Sequence, residues 1–204
     1  MTSPATTKVV GVAIGAGTLL GAGTAAYAGL VTGRLSIDLG IGRRTRPLGP
    51  LVVDIAAPRD VVYDVATAPY AVRRPRAMQD KVQVLERGDG MVLAAHRTPV
   101  GGGLVAVTVE TVTFDPPARI GFRLVRGPVP YVAETFELTE VPALDETAGA
   151  PRTSGGTRLT YTGELGTDLG RPGELWGDLV ARSWVATVAV SLEGIRVESE
   201  RRAS

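Results

Sequence analysis

The chain has 204 residues, 44% hydrophobic and 21% charged, which suits one globular domain with an appendage. Its net charge of +1 gives no basic excess for bulk nucleic-acid binding, and the absence of cysteine excludes disulfides, thiolate nucleophiles and cysteine metal sites. A single histidine, His96, is too few for a zinc site of the usual kind, so neither a metal nor another cofactor is expected.

Between Lys8 and Arg34 the chain carries no charge for 25 residues, more than the roughly 20 that span a bilayer core as a helix. The segment is weakly apolar and rich in Gly and Ala. Gly11/Gly15 and Gly17/Gly21 stand at the small-xxx-small spacing that lets membrane helices approach, which predicts self-association through these four glycines. Arg34, Arg43, Arg44 and Arg46 follow. The positive-inside rule then predicts a single-pass protein of the cell membrane, with residues 1–33 transmembrane, 34–47 a basic linker, and a domain over 48–200 on the cytoplasmic side. Other readings stay open. Ala26-Tyr27-Ala28 has the small-x-small form of a signal cleavage site, which would make the protein secreted. The segment also fits a buried helix of a soluble domain. VVGVAIGAGTLLG, with Asp38 about 20 residues on, has the outline of a strand entering a glycine-rich phosphate turn, but no βαβ unit surrounds it.

Leu51 to Ile55 reads as a strand between Gly49-Pro50 and Ala57-Pro58. Pro58 and Asp60 suit the amino end of a short helix with Val61, Val62 and Val65 on one face, ended by Ala68-Pro69. Arg73 to Met78 reads as a short helix or loop, whose Arg73, Arg74 and Arg76 form either a basic lip or a solvated surface. Six more strands are predicted: Lys81 to Arg87, Met91 to Thr98, Leu104 to Phe114, Ala118 to Val125, Tyr131 to Val141 and Thr157 to Leu165. Turn-formers such as Gly88-Asp89-Gly90 and Asp115-Pro116-Pro117 separate them. The Pro-, Gly- and Thr-rich stretch between Val141 and Gly156 predicts a long loop.

A final helix runs from about Arg171 to about Glu198. Trp176, Val180, Trp184, Val188, Leu192 and Ile195 recur at helical spacing and make one apolar stripe, with Asp178, Arg182, Glu193 and Arg196 opposite. Ser183, Thr187 and Ser191 follow one edge of that stripe. They read either as the wall of a cavity or as close packing, with hydroxyls bonded to their own helix.

Seven hairpin-linked strands, with helical structure inserted after the first, and one long last helix make an α+β fold: a curved antiparallel sheet wrapped on the terminal helix. In wording the chain resembles the START-like or SRPBCC superfamily. VVDIAAPRDVVYDVATAP (Val52 to Pro69) is similar to its opening strand and first helix, and VTFDPPARIGFRLVRGPVPYVAETFELTEV (Val112 to Val141) to its central hairpins. GGTRLTYTGELGTDLG (Gly155 to Gly170) and ELWGDLVARSW (Glu174 to Trp184) look like its last strand and its grip helix. The subgroup most similar is polyketide cyclase/dehydrase. The resemblance implies a helix-grip fold whose cavity, between sheet and helix, takes a hydrophobic small molecule such as a lipid, a quinone or a polyketide. It implies no single activity, because one fold hosts carriers, binders and cyclases. The expectation is a membrane-anchored binding module. The alternatives are a cyclase/dehydrase-type enzyme and a non-catalytic interaction or stress-response protein.

If Phe136 and Leu138 point inward, alternation turns Val132 and Glu134 inward too, and a carboxylate in an apolar cavity is a candidate general acid or base. Glu110 raises the same question with weaker phasing. His96 and Arg97 lie on opposite faces of their strand, and alternation does not decide which is inside. His96 would serve acid–base chemistry near neutrality, and Arg97 would hold a carboxylate or enolate. Tyr161 shares a face with Leu159 and could hydrogen-bond a ligand oxygen. The candidate pocket is thus Glu134, Phe136, Tyr161, Trp176, Val180, Ser183, Trp184, Thr187 and Ser191, with Glu134, His96 and Arg97 as candidate catalytic residues.

Overall fold

The alternating runs fold, in a computed structural model that describes residues 24–73, 80–142 and 155–204, into one antiparallel sheet. Its strands are β1 (Arg44–Ile55), β2 (Val82–Gly88), β3 (Met91–Pro99), β4 (Val105–Asp115), β5 (Arg119–Arg126), β6 (Tyr131–Val141) and β7 (Gly156–Thr167). They stand in the order β1-β7-β6-β5-β4-β3-β2. From β2 to β7 each strand lies beside its successor, and β1 crosses over to pair with β7. The crossing carries helix α2 (Arg59–Thr67) and a 3-10 turn, Ala68–Tyr70. Helix α3 (Arg171–Ala203) closes the fold. The expected α+β architecture, a curved antiparallel sheet with a long C-terminal helix, is present.

The core lies between the sheet and the two helices. On β6, Val132, Glu134, Phe136 and Leu138 are buried, and on β7 so are Leu159, Tyr161 and Leu165. These two strands pair in register, with Phe136 opposite Tyr161 and Leu138 opposite Leu159. The period-two pattern therefore puts both inner faces into one layer. From α2 come Val62, Tyr63 and Ala66. On α3 the predicted stripe faces the core: Val180 and Leu192 are buried, and Trp176, Trp184, Val188 and Ile195 pack against the cluster. The outward side of α3 holds Arg196 between Glu193 and Glu200.

Two features differ from the sequence reading. First, β1 begins at Arg44 rather than Leu51. Arg44 to Leu48 pair with Thr167 to Gly163, and the ladder resumes at Leu51 after an irregularity. Gly49 sits in that irregularity at a φ of +89°, a conformation that favours glycine. Arg46 pairs with Asp178 of α3, and Arg44 with Glu174.

Second, the membrane-spanning location read from residues 1–33 is overturned. Among the described residues no helix is long and apolar enough to cross a membrane. The described end of that segment is a short helix, α1 (24–31), resting on the domain. Tyr27 meets Trp176 edge-on, with ring centroids 6.2 Å apart. Val107 N–H donates to Thr32 O at 3.2 Å, and Arg126 Nε donates to Gly33 O at 3.2 Å. Gly33 is needed there: its φ is +68°, and a Cβ would stand 2.3 Å from Val107 O. Gly11, Gly15, Gly17 and Gly21, and the self-association predicted for them, lie outside the described residues. So do Arg74 and Arg76 of the basic lip, while Arg73 is exposed.

Residues 38–43 are fastened to the start of α3 by Asp168. Its carboxylate accepts Leu39 N–H (2.6 Å), Gly40 N–H (2.7 Å) and Arg43 Nε (2.7 Å). Asp38, the acid of the phosphate-turn reading, pairs with Arg43 at 2.5 Å instead.

Candidate functional site

Glu134 is the most informative residue of the inner face, at 9% exposure. Its Oε1 accepts two hydrogen bonds: from Tyr161 OH at 2.5 Å and from Trp184 Nε1 at 2.6 Å. One donor comes from β7 and the other from α3, so this carboxylate joins sheet to helix. Gly163 stands opposite it across the β6–β7 ladder. A Cβ there would come within 3.0 Å of Glu134 Cγ and 3.3 Å of the Tyr161 hydroxyl, so the glycine leaves the carboxylate its place. Glu134 Oε2 has no partner among the described residues.

Burial, and then the charge of Glu110, push the Glu134 carboxyl up to about 7, although the Tyr161 and Trp184 bonds and His96 pull the other way. A group poised there exchanges a proton readily at neutral pH. Burial, followed by the Glu134 carboxylate, raises Tyr161 far above the ordinary phenol range, so its hydroxyl stays a donor.

A second polar cluster occupies the same face nearer the other sheet edge. His96 shares the inner face of β3 with Val92 and Ala94. Its Nε2 lies 3.0 Å from Tyr70 OH, and its Nδ1 lies 3.2 Å from Glu110 Oε2. The second contact is an ion-pair approach, off the line of a straight hydrogen bond. Glu110 is buried, and its Oε1 accepts Thr108 Oγ1 at 2.6 Å. Burial alone would raise the Glu110 carboxyl, but the close approach of His96 and the bond from the Thr108 hydroxyl outweigh it and hold the group below its usual range. The two buried carboxylates are thus driven apart: Glu110 towards the charged form, Glu134 towards the neutral one.

Aromatic rings bridge the clusters. Tyr70 lies 5.7 Å from Phe114 and 6.5 Å from Phe122, Phe122 lies 5.1 Å from Phe136, and Phe136 lies 5.8 Å from Tyr161. The row of rings thus runs unbroken from Tyr70 to Tyr161, with a polar cluster at each end. Among the described residues no group of three His, Asp or Glu is placed to hold a metal ion.

The other predicted residues divide. Phe136, Tyr161, Val180 and Trp184 join Glu134 inside. Trp176 is partly buried, and its Nε1 donates to Pro128 O at 2.9 Å, which ties α3 to the β5–β6 turn. Arg97 is corrected: it is exposed on the opposite face from His96, where Nη2 donates to Gln83 Oε1 at 2.9 Å. The cavity-wall reading of Ser183, Thr187 and Ser191 is corrected too. All three are exposed, and the Thr187 and Ser191 hydroxyls donate to Ser183 O and Thr187 O at 3.0 Å each. Tyr70 was not singled out by sequence reasoning. It sits in the 3-10 turn after Pro69, where no periodicity marks an inward direction, and only an aromatic beside a helix stop hinted at it.

No family model matches the sequence, and no curated protein matches it. Solved structures do. The Zhui aromatase/cyclase from Streptomyces sp. R1128 is 18% identical, with a TM-score of 0.58 over 79% of this chain and 96% of that one. A protein from Thermus thermophilus is 16% identical, with a TM-score of 0.53 over 79% of this chain and 100% of that one. The di-domain aromatase/cyclase BexL from the BE-7585A biosynthetic pathway is 19% identical, with a TM-score of 0.51 over 80% of this chain and 50% of that one. At such identities the likeness speaks of fold alone: the chain shares with these structures a curved antiparallel sheet and a long C-terminal helix.

Proposed function

We propose that the chain binds a hydrophobic, carbonyl-bearing small molecule between the sheet and α3, and moves a proton on it in an aromatase/cyclase-type reaction. Glu134 is the acid–base group. The observation that carries this reading is the Glu134 carboxyl: buried, poised near neutrality, held through Oε1 by Tyr161 and Trp184, and without a partner at Oε2 among the described residues. Enolising a ketone needs a base for the α-proton and a donor for the oxygen. A carboxyl poised near neutrality can take the α-proton as the carboxylate and return a proton as the acid, with the Tyr161 phenol and Trp184 indole holding it in place. The fold is shared with two proteins named as aromatase/cyclases, which supports the class of reaction without fixing its substrate.

The test is product analysis. A short poly-β-ketoacyl thioester is incubated with the protein and with E134Q, while binding is followed by tryptophan fluorescence. The expected result is a product distribution that departs from spontaneous cyclisation with the wild type and returns to it with E134Q, with binding kept. Identical products with and without protein would overturn the catalytic reading. A second reading, a carrier without chemistry, has one observation of its own: both bonds on Oε1 join α3 to the sheet, a purely structural use of the carboxylate. Under it E134Q alters stability and leaves the products alone.

A further inference from the structure

The Tyr70–His96–Glu110–Thr108 chain is too well formed to be filler. Four polar side chains from a turn and two strands meet, hydrogen-bonded at the Thr108–Glu110 and His96–Tyr70 links and at ion-pair distance, off the line of a straight hydrogen bond, between Glu110 and His96. Thr108 Oγ1 donates to Glu110 Oε1, Glu110 Oε2 faces His96 Nδ1, and His96 Nε2 faces Tyr70 OH. Glu110 and Tyr70 are buried at 6% and 8% exposure. The Tyr70 ring packs on Phe114 and Phe122, the start of the aromatic row that leads to Glu134. Among the described residues the elements around His96 bring two further acids, Glu110 from β4 and Glu134 across the rings from β6. The β2 residue opposite His96 is Val82.

The proton count in this chain has a consequence. Neutral imidazole has one N–H. With it on Nδ1, towards Glu110, Nε2 is an acceptor and Tyr70 donates to it. When His96 takes a second proton, Nε2 becomes a donor, the Tyr70 oxygen accepts, and the phenol proton is free to turn away from the ring.

Resting on the binding reading above, we propose that Tyr70 is the donor to the ligand's carbonyl or enolate oxygen, and that His96, positioned by Glu110 and Thr108, releases this donor when it takes a proton. The ligand class that follows is one with an oxygen acceptor presented to the Tyr70 end of the ring row, remote from the carbon that Glu134 serves. Burial, and then the charges of Glu110 and Glu134, push the Tyr70 phenol far up, so it acts as a neutral donor and not as a tyrosinate base.

The probes are 2-acetylnaphthalene and 2-ethylnaphthalene, a ketone and its hydrocarbon counterpart, titrated against the full chain at about pH 5.5 and about pH 8, the span in which histidine changes charge. The series is run in the wild type and in E134Q, which removes the other group titrating there. The expected result is a ketone preference about fivefold larger at the lower pH, the worth of one hydrogen bond. It should survive in E134Q, and be flat with pH in Y70F. A Y70F protein that keeps the pH-dependent preference overturns the proposal, as does a wild type without any preference. If the probes bind without that preference while E134Q still changes cyclisation products, this proposal fails and the Glu134 reading stands. If neither probe binds, the cavity reading itself falls.

A ligand-free measurement keeps the chain testable in every case. With one histidine in the sequence, the imidazole nitrogen signals of the untagged protein belong to His96. At about pH 8 its proton is expected on Nδ1, moving to Nε2 in Y70F. Finding it on Nε2 in the wild type contradicts the chain.

Discussion

Glu134 shows how one residue can be costly to the fold and useful to the site. Its carboxyl ordinarily titrates near 4.5 and is raised to about 7 in the folded chain. A raised carboxyl favours folding fully below its unfolded value, and that contribution is lost as pH rises through the folded value. The shift corresponds to roughly 3 kcal/mol between the two limits. Glutamine has the same shape and does not titrate. Urea unfolding of E134Q and wild type should therefore diverge between about pH 4.5 and pH 8, with the variant gaining relative stability as pH rises. A difference that stays flat would mean the carboxylate is not held in a poorly solvated place. Glu134 was legible in sequence because Val132, Phe136 and Leu138 share its phase on an uninterrupted strand. Glu110 was not. On β4, Val105, Val107 and Val109 occupy one set of alternate positions, while Thr108, Glu110 and Val112 occupy the other. The valines suggest the wrong face, and β4 also slips against β5 between Val109 and Glu110. Val107 bonds to Thr32 beside α1, a contact no local pattern announces.

At the scale of elements, six strands and the long helix could be placed from alternation and turn residues, because each is a local pattern with one buried face. The first half of β1 could not, since Arg44, Arg46 and Pro47 look like a linker until their partners on β7 and α3 are known. Its approach is set by Asp168, whose side chain is wholly out of solvent. Arg43 holds that carboxyl down at about 2, against burial, with help from the Gly40 and Leu39 N–H groups. A lowered carboxyl contributes stability above its unfolded value, lost as pH falls towards the folded one. D168A removes the acceptor and leaves two backbone N–H groups and Arg43 without it. It should cost about 2 to 4 kcal/mol in denaturant unfolding and increase amide exchange at Leu39 and Gly40. Unchanged exchange at those two amides would show that residues 38–43 are held by something other than Asp168.

For the whole molecule, the sheet and α3 enclose a core whose inner face is mostly rings and branched aliphatics. Two acids of opposite tendency are set into it: Glu110 held ionised beside His96, and Glu134 held near neutral beside Tyr161 and Trp184. The resemblance of the sequence to START-like proteins carried the architecture. It did not carry the site, because the groups that meet come from a turn, four strands and a helix far apart in the chain. The most direct measurement of the central claim is a crystal structure of the protein with a bound poly-β-ketone mimic. The mimic is expected between β6, β7 and α3, with an oxygen or an acidic carbon within hydrogen-bonding reach of Glu134 Oε2. A mimic seated outside the sheet–helix interior, with Glu134 untouched, would contradict it.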